Sequence, residues 1–70
     1  MATHCYRITV AGGLGELGRE AFPDFRVERS GADTVLTGDL DQAALYNALS
    51  RILALGLELV ALSRPDEKPA

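Results

Sequence analysis

The chain is poor in cysteine and histidine, with one residue of each, and it has no tryptophan. A disulfide within one chain is therefore excluded. His4 and Cys5 are the only soft metal ligands, and as neighbours on an extended strand they would point to opposite faces. We therefore predict no metal and no cofactor. A 70-residue domain has a thin stability margin, so we expect support from homo-oligomerisation, with a dimer as the first expectation.

The sequence also lacks a basic cluster and a long apolar run. Its net charge is −3, and its seven basic residues are dispersed among ten acidic ones. The electrostatic footprint of a nucleic-acid binder is missing, and binding to an anionic membrane is disfavoured for the same reason. No run approaches the roughly 20 apolar residues of a membrane span, and the first residues do not resemble a signal peptide. We expect a cytoplasmic protein.

Length and composition predict one α+β domain over residues 1–63, followed by a flexible tail over residues 64–70 that contains two prolines. Residues 6–10 alternate apolar and polar side chains, which is typical of a half-buried strand. A short helix is predicted over 14–22, with Leu14, Leu17 and Ala21 on its apolar face and Phe22 as a further candidate for that face, ended by Pro23. A final strand is predicted over 57–62.

A hairpin is predicted over residues 25–37. Gly31 and Ala32 suit a two-residue type II′ turn, which requires glycine at its first central position. That turn places Val27 opposite Leu36, and paired residues share a face of the sheet. The apolar pattern and the turn therefore predict the same register, with Ser30 opposite Asp33.

The clearest helix is predicted over residues 42–55, where one face is apolar. Two start patterns compete. Asp39 with Gln42 forms a capping-box pattern, whereas Asp41 as N-cap has Leu40 placed to pack on Leu45. Gly56 is predicted to end the helix in a left-handed conformation.

The order β-α-β-β-α-β predicts a ferredoxin-like sandwich, with a four-stranded antiparallel sheet and two helices on one face. The predicted core comprises Tyr6, Ile8, Val10, Phe25, Val27, Leu36, Leu57 and Leu59 under Leu45, Leu49 and Ile52. The open face would include Arg26 and Glu28 together with the candidate interface residues. These candidates are Arg7, Thr9, Val35, Thr37, Val60 and Leu62. Because three of them are apolar and the last strand lacks edge-blocking charge, we expect a partner on that face or edge.

The glycine-rich turn after the first strand is the candidate ligand site, formed by Gly12, Gly13, Leu14 and Gly15. Residues 13–18 match G-x-G-x-x-G, but the long helix and parallel sheet of a dinucleotide site do not fit in this chain. Glycines also let backbone amides approach an anion closely. The competing explanation is a tight strand-to-helix turn that binds nothing.

Other chemistry-bearing residues have structural explanations. His4 and Cys5 diverge on a strand and do not form a nucleophile–base pair. Asp39 and Asp41 are accounted for by helix capping. We therefore predict no catalytic residue.

The glycine–hydrophobic step at Gly13-Leu14, with the element order and the strand after Gly56, resembles an ACT-type regulatory domain. That resemblance implies dimers that bind amino acids near the turn. Ala11 and Gly12 stand where the family typically has Asp and Pro. Residues 36–45 and 55–59 are also similar to short actinobacterial proteins of unknown function.

Three function hypotheses follow. The leading one is a non-enzymatic binding or assembly module that forms a homo-oligomer through its open sheet face or last strand. The second is an ACT-like sensor of a small metabolite such as an amino acid. The third is a small dimeric ferredoxin-like enzyme, which would need a cavity of about 300 Å³ or more. The partner in the first hypothesis could also be another protein.

Overall fold

The computed structural model describes residues 2–65, which form a four-stranded antiparallel sheet and two helices. The strand order across the sheet is β2-β3-β1-β4, which confirms the predicted ferredoxin-like α+β layout. Within the described range, neither helix is long and apolar enough to cross a membrane. The elements are β1 (His4–Ala11), α1 (Glu16–Ala21), β2 (Arg26–Ser30), β3 (Asp33–Leu40), α2 (Gln42–Ala54) and β4 (Leu59–Ser63).

The β2–β3 hairpin has the predicted register. Ser30 lies opposite Asp33, and Val27 lies opposite Leu36. Gly31 has a φ of 60°, and no residue other than glycine has a positive φ in residues 2–65. This combination agrees with a type II′ turn, in which only the first central residue needs a positive φ. The turn and the apolar pattern therefore specify one register together.

Helix α2 resolves the two competing start patterns in favour of Asp41. The Asp41 carboxylate accepts a hydrogen bond from the Ala44 amide at 2.8 Å. At the other end, Gly56 has a φ of 75°, and the Leu57 amide donates to the Ile52 carbonyl at 3.0 Å. This arrangement is the predicted left-handed cap, with the 6→1 bond of a Schellman motif. The helix ends at Ala54, one residue before the predicted boundary.

Helix α1 is shorter than predicted, and one of its predicted apolar-face residues is wrong. Leu14, just before the helix, and Ala21 pack against the core as predicted. Leu17, expected on the apolar face, is 48% exposed, whereas Gly18 is buried. A Cβ on Gly18 would lie 3.0 Å from the Leu14 Cβ and 3.5 Å from a Val27 methyl. The glycine that weakens this helix therefore lets it approach the sheet closely.

The core lies between the sheet and the helices, and the sequence predicted most of its centre. Phe22 and Leu40 were missing from the predicted core although both are buried. Phe22 packs edge-to-face on Phe25 with ring centroids 5.7 Å apart. The prediction that Leu59 is a core residue is wrong, because this side chain lies at the sheet edge and is 43% exposed. The buried apolar residues are Ile8, Val10, Phe22, Leu36, Leu40, Leu45, Ala48 and Ile52.

A β-bulge interrupts the pairing of β4 with β1. Ala61 lies opposite Thr9, but Leu59 lies opposite Val10, so Val60 is an extra residue on β4. Beyond the bulge, Leu62 lies opposite Ile8, whose side chain is in the core. The expectation that Leu62 belongs to the open face is therefore wrong: the bulge moves it to the helix-bearing face.

Candidate functional site

The glycine-rich turn connects the end of β1 to the start of α1, and the Thr34 side chain ties it down. The Thr34 hydroxyl donates to the Gly12 carbonyl at 2.7 Å and accepts from the Leu14 amide at 3.2 Å. Thr34 is only 3% exposed. The amide of Leu14 is thus committed to an internal contact.

Arg29 covers another part of this turn. A Cβ on Gly13 would lie 2.8 Å from the Arg29 guanidinium carbon, so the side chain rests directly on the backbone. Beside it is a cavity of about 210 Å³. Leu14 and Gly15 line this cavity, whereas Gly12 and Gly13 do not. The remaining lining residues are Arg19, Val27, Glu28, Arg29 and Thr34.

Thr34 was not identified from the sequence as a residue of the turn site, although the predicted hairpin register determines which face of the sheet it lies on. The predicted hairpin register places Leu36 on the helix-bearing face, and residues two apart on a strand share a face. Thr34 therefore had to lie on that face, beside the end of β1. Its pairing with Val10 was the missing step, because it depends on how two distant strands align.

The open face holds four of the six predicted interface residues. Arg7 lies opposite Thr37, and Thr9 lies opposite Val35. A cavity of about 320 Å³ lies on this face, lined by Arg7, Glu28, Arg29, Ser30, Val35 and Thr37. Apart from Val35 its lining is polar or charged. An exposed ion pair joins Arg26 and Glu28 at 3.8 Å. The face is therefore more polar than the sequence indicated.

Of the seven large apolar residues that are exposed within residues 2–65, three belong to the last strand. Val60 is 50% exposed, and Leu59 and Leu62 are each 43% exposed. On α2, the flank containing Ala44 and Arg51 borders a cavity that includes Asp24 and Phe25, on the α1 side. Helical spacing then places the opposite flank towards β4. That flank carries Tyr46 and Leu53, which are 58% and 75% exposed. We call Tyr46, Leu53, Leu59, Val60 and Leu62 the β4-edge patch.

A cluster at the other end of β4 was not predicted. Arg64, assigned from sequence to the tail, has its Nη2 2.7 Å from His4 Nδ1, and its guanidinium lies over the Tyr6 ring at 5.9 Å. A guanidinium has no acceptor, so His4 Nδ1 must accept this hydrogen bond. Pro65, also in the predicted tail, is exposed, and residues 66–70 lie outside the described residues.

The other candidate groups are dispersed. Cys5 lies half-buried opposite Asp39 on the open face, and Asp41 is the N-cap of α2. Within residues 2–65, no three His, Cys, Asp or Glu side chains are grouped so as to hold a metal ion.

Together these features define a small ferredoxin-like α+β domain, with a glycine turn that is hydrogen-bonded to Thr34 and an apolar edge strand. The chain belongs to a family described as Domain of unknown function (DUF8691), whose model matches residues 5–63. The match runs from the second residue of β1 to the end of β4 and so covers the sheet apart from His4. No curated protein and no solved structure matches the chain.

Proposed function

We propose that this protein is a non-enzymatic assembly module that forms a homo-oligomer through its last strand. The observation that carries the proposal is the β4-edge patch, whose five large apolar side chains are 43–75% exposed. Their exposed surface, backbone and Tyr46 hydroxyl included, is on the order of 500 Å², comparable with the 300–600 Å² of the largest patches on monomers, which are often functional. A standard interface buries about 800 Å² per partner, so this surface supplies more than half of that area.

The comparison of the two sheet edges supports the same choice. The outer strand β2 carries Arg26, Glu28 and Arg29, all exposed, and charges of this kind protect an edge from pairing. Strand β4 has the sequence LVALS and carries no charge. The edge without protecting charge is therefore the one beside the apolar patch.

The open face is the less favoured surface for assembly. The bulge removes Leu62 from it, and Val35 is half-buried among Arg7, Glu28 and Thr37. Paired surfaces of obligate oligomers are more apolar than this. We therefore assign the interface to the last strand.

The test is the solution mass by light scattering over a wide concentration range, for the wild-type chain and two lysine variants. Val60→Lys places a charge on the β4 edge, and Val35→Lys places the same charge on the open face. We expect a wild-type dimer, a monomeric Val60→Lys variant and a dimeric Val35→Lys variant, all with wild-type far-UV circular dichroism. A wild-type monomer at every concentration would contradict the proposal, and dissociation by Val35→Lys alone would move the interface to the open face.

A second candidate function, sensing of a small carboxylate in the manner of an ACT-like domain, is favoured by the cavity beside Gly15. Two arginines, Arg19 and Arg29, line it together with Glu28, and a guanidinium group can bind a carboxylate through two parallel hydrogen bonds. A rise in melting temperature with one of the common amino acids, lost in Arg19→Gln and kept in Arg26→Gln, supports this function. Absence of any rise at millimolar concentrations removes its support.

A further inference from the structure

We infer that two copies of this chain pair their β4 strands antiparallel about a two-fold axis that passes beside Leu62, so that the two sheets become one of eight strands. This inference rests on the proposed homo-oligomer and specifies its register. It identifies the partner as a second copy, bound in one orientation. Three independent features of β4 lead to it.

The first feature is the direction of the backbone groups. The Ala11 amide donates to the Glu58 carbonyl at 2.9 Å, so Ala11 directs its hydrogen-bonding groups towards β4. These directions alternate along a strand, so the backbone groups of Thr9 and Arg7 also face β4. The backbone groups of their partners, Ala61 and Ser63, face β1 in return. Leu62, between these two partners, then directs its N–H and C=O away from β1, towards the free edge.

The second feature is the symmetry of such a pairing. A two-fold axis perpendicular to the sheet keeps the helix-bearing faces of both copies on the same side, and directly opposed residues share a face. A residue on the axis pairs with itself, as a hydrogen-bonded pair when its backbone groups point outward and as a non-hydrogen-bonded pair when they point inward. Leu62 on the axis gives the hydrogen-bonded pair, and this register is the one that places Leu62 against its own copy on the helix-bearing face. Ala61 then lies opposite Ser63 of the second copy, and both belong to the open face because they pair with Thr9 and Arg7.

The third feature is what the pairing covers. Leu62 and Leu59 lie on the helix-bearing face, where Tyr46 and Leu53 form the adjoining flank of α2. Self-pairing at Leu62 brings both copies of this apolar surface together over the joined sheet. Because the contact is isologous, it closes after two copies. Pairing of β4 with β2 would instead leave a β4 edge unpaired at one end, so the contact would not close after two copies, and it would place charged β2 side chains against the leucines.

Cysteine cross-linking tests the register. In a Cys5→Ser background, Leu62→Cys places one cysteine on each side of the axis. The Cα atoms of the two cysteines would lie about 5.5 Å apart, a distance that a disulfide can span. Ser63→Cys is the matched control, because its two copies lie more than about 7 Å apart and cannot be bridged without backbone movement. An equimolar mixture of Ala61→Cys and Ser63→Cys chains should cross-link as a heterodimer.

Under mild oxidation and non-reducing electrophoresis, we expect most of the Leu62→Cys chain to become a covalent dimer, and less than a tenth as much from Ser63→Cys alone. Equal yields from both variants would show collisional oxidation and overturn the register. A dimeric mass by light scattering with no Leu62→Cys product would also overturn it while leaving the proposed homo-oligomer intact. A monomeric mass would overturn both. Cross-linking of Leu62→Cys to a different protein in place of itself would assign the edge to a heterologous strand.

Discussion

Replacing Thr34 by valine tests the most specific polar contact in the fold. The substitution keeps the shape of the side chain and removes the hydroxyl that bridges Gly12 and Leu14 at 2.7 and 3.2 Å. An intramolecular hydrogen bond contributes about 0.5–1.5 kcal/mol, and a group left unpaired in the interior adds a desolvation cost. Gly12 is exposed, so water can reach its carbonyl and the full penalty does not apply.

We therefore expect Thr34→Val to lower the free energy of unfolding by about 1.5 kcal/mol, which is a fall in melting temperature of roughly 6–12 °C for a domain of this size. The assay is urea unfolding followed by far-UV circular dichroism at one fixed protein concentration. Thr37→Val is the matched control, with the same substitution on the same strand, and Thr37 has no side-chain hydrogen bond among residues 2–65. We expect it to change stability by less than about 0.5 kcal/mol. Equal effects of the two substitutions would refute the bridging role of Thr34.

Two further substitutions test how the helices are built. Asp41→Ala should lower the free energy of unfolding by about 1 kcal/mol, because it removes the N-cap of α2. Asp39→Ala, at the competing cap position, should have little effect. Equal effects of the two substitutions in thermal unfolding would contradict the assignment of Asp41 as the N-cap. Gly18→Ala should destabilise the domain by about 1 kcal/mol despite alanine's better helix propensity, because its Cβ would press on Leu14 at 3.0 Å; a higher melting temperature would show that α1 can move away from the sheet.

Local patterns were sufficient to predict the elements that depend on neighbours in sequence. The hairpin register followed from Gly31 and the alternation of Val27 with its neighbours. The extent of α2 followed from its apolar face and from Gly56. In each case a turn or cap residue and the hydrophobic periodicity point to one answer. The order of the strands then followed from the element order and the handedness of crossovers.

Features that depend on distant strands were missed. The bulge at Val60 arises where β4 pairs with β1, and no residue near it marks an extra position. A one-residue shift moves every later side chain to the other face, so this single irregularity reassigned Leu62. In α1, helical periodicity predicted that Leu17 faces the core, but the residue that is buried there is Gly18, because only glycine lets the helix pack closely on β2. The candidate turn was located correctly in the chain, while its attachment to Thr34 required the β1–β3 alignment.

Strand β1 precedes both of its partners in the chain, and it lies between them in the sheet. During synthesis, β1 leaves the ribosome first but has no strand to pair with until β3 emerges, and its second side stays unpaired until β4 is complete. The β2–β3 hairpin, by contrast, has all its paired residues once Thr37 has been added. Strand β1 is therefore without β3 until Leu40 has been added, and without β4 until Ser63 has been added. Contacts between residues far apart in sequence also slow folding, so the sheet is completed only after translation has passed Ser63.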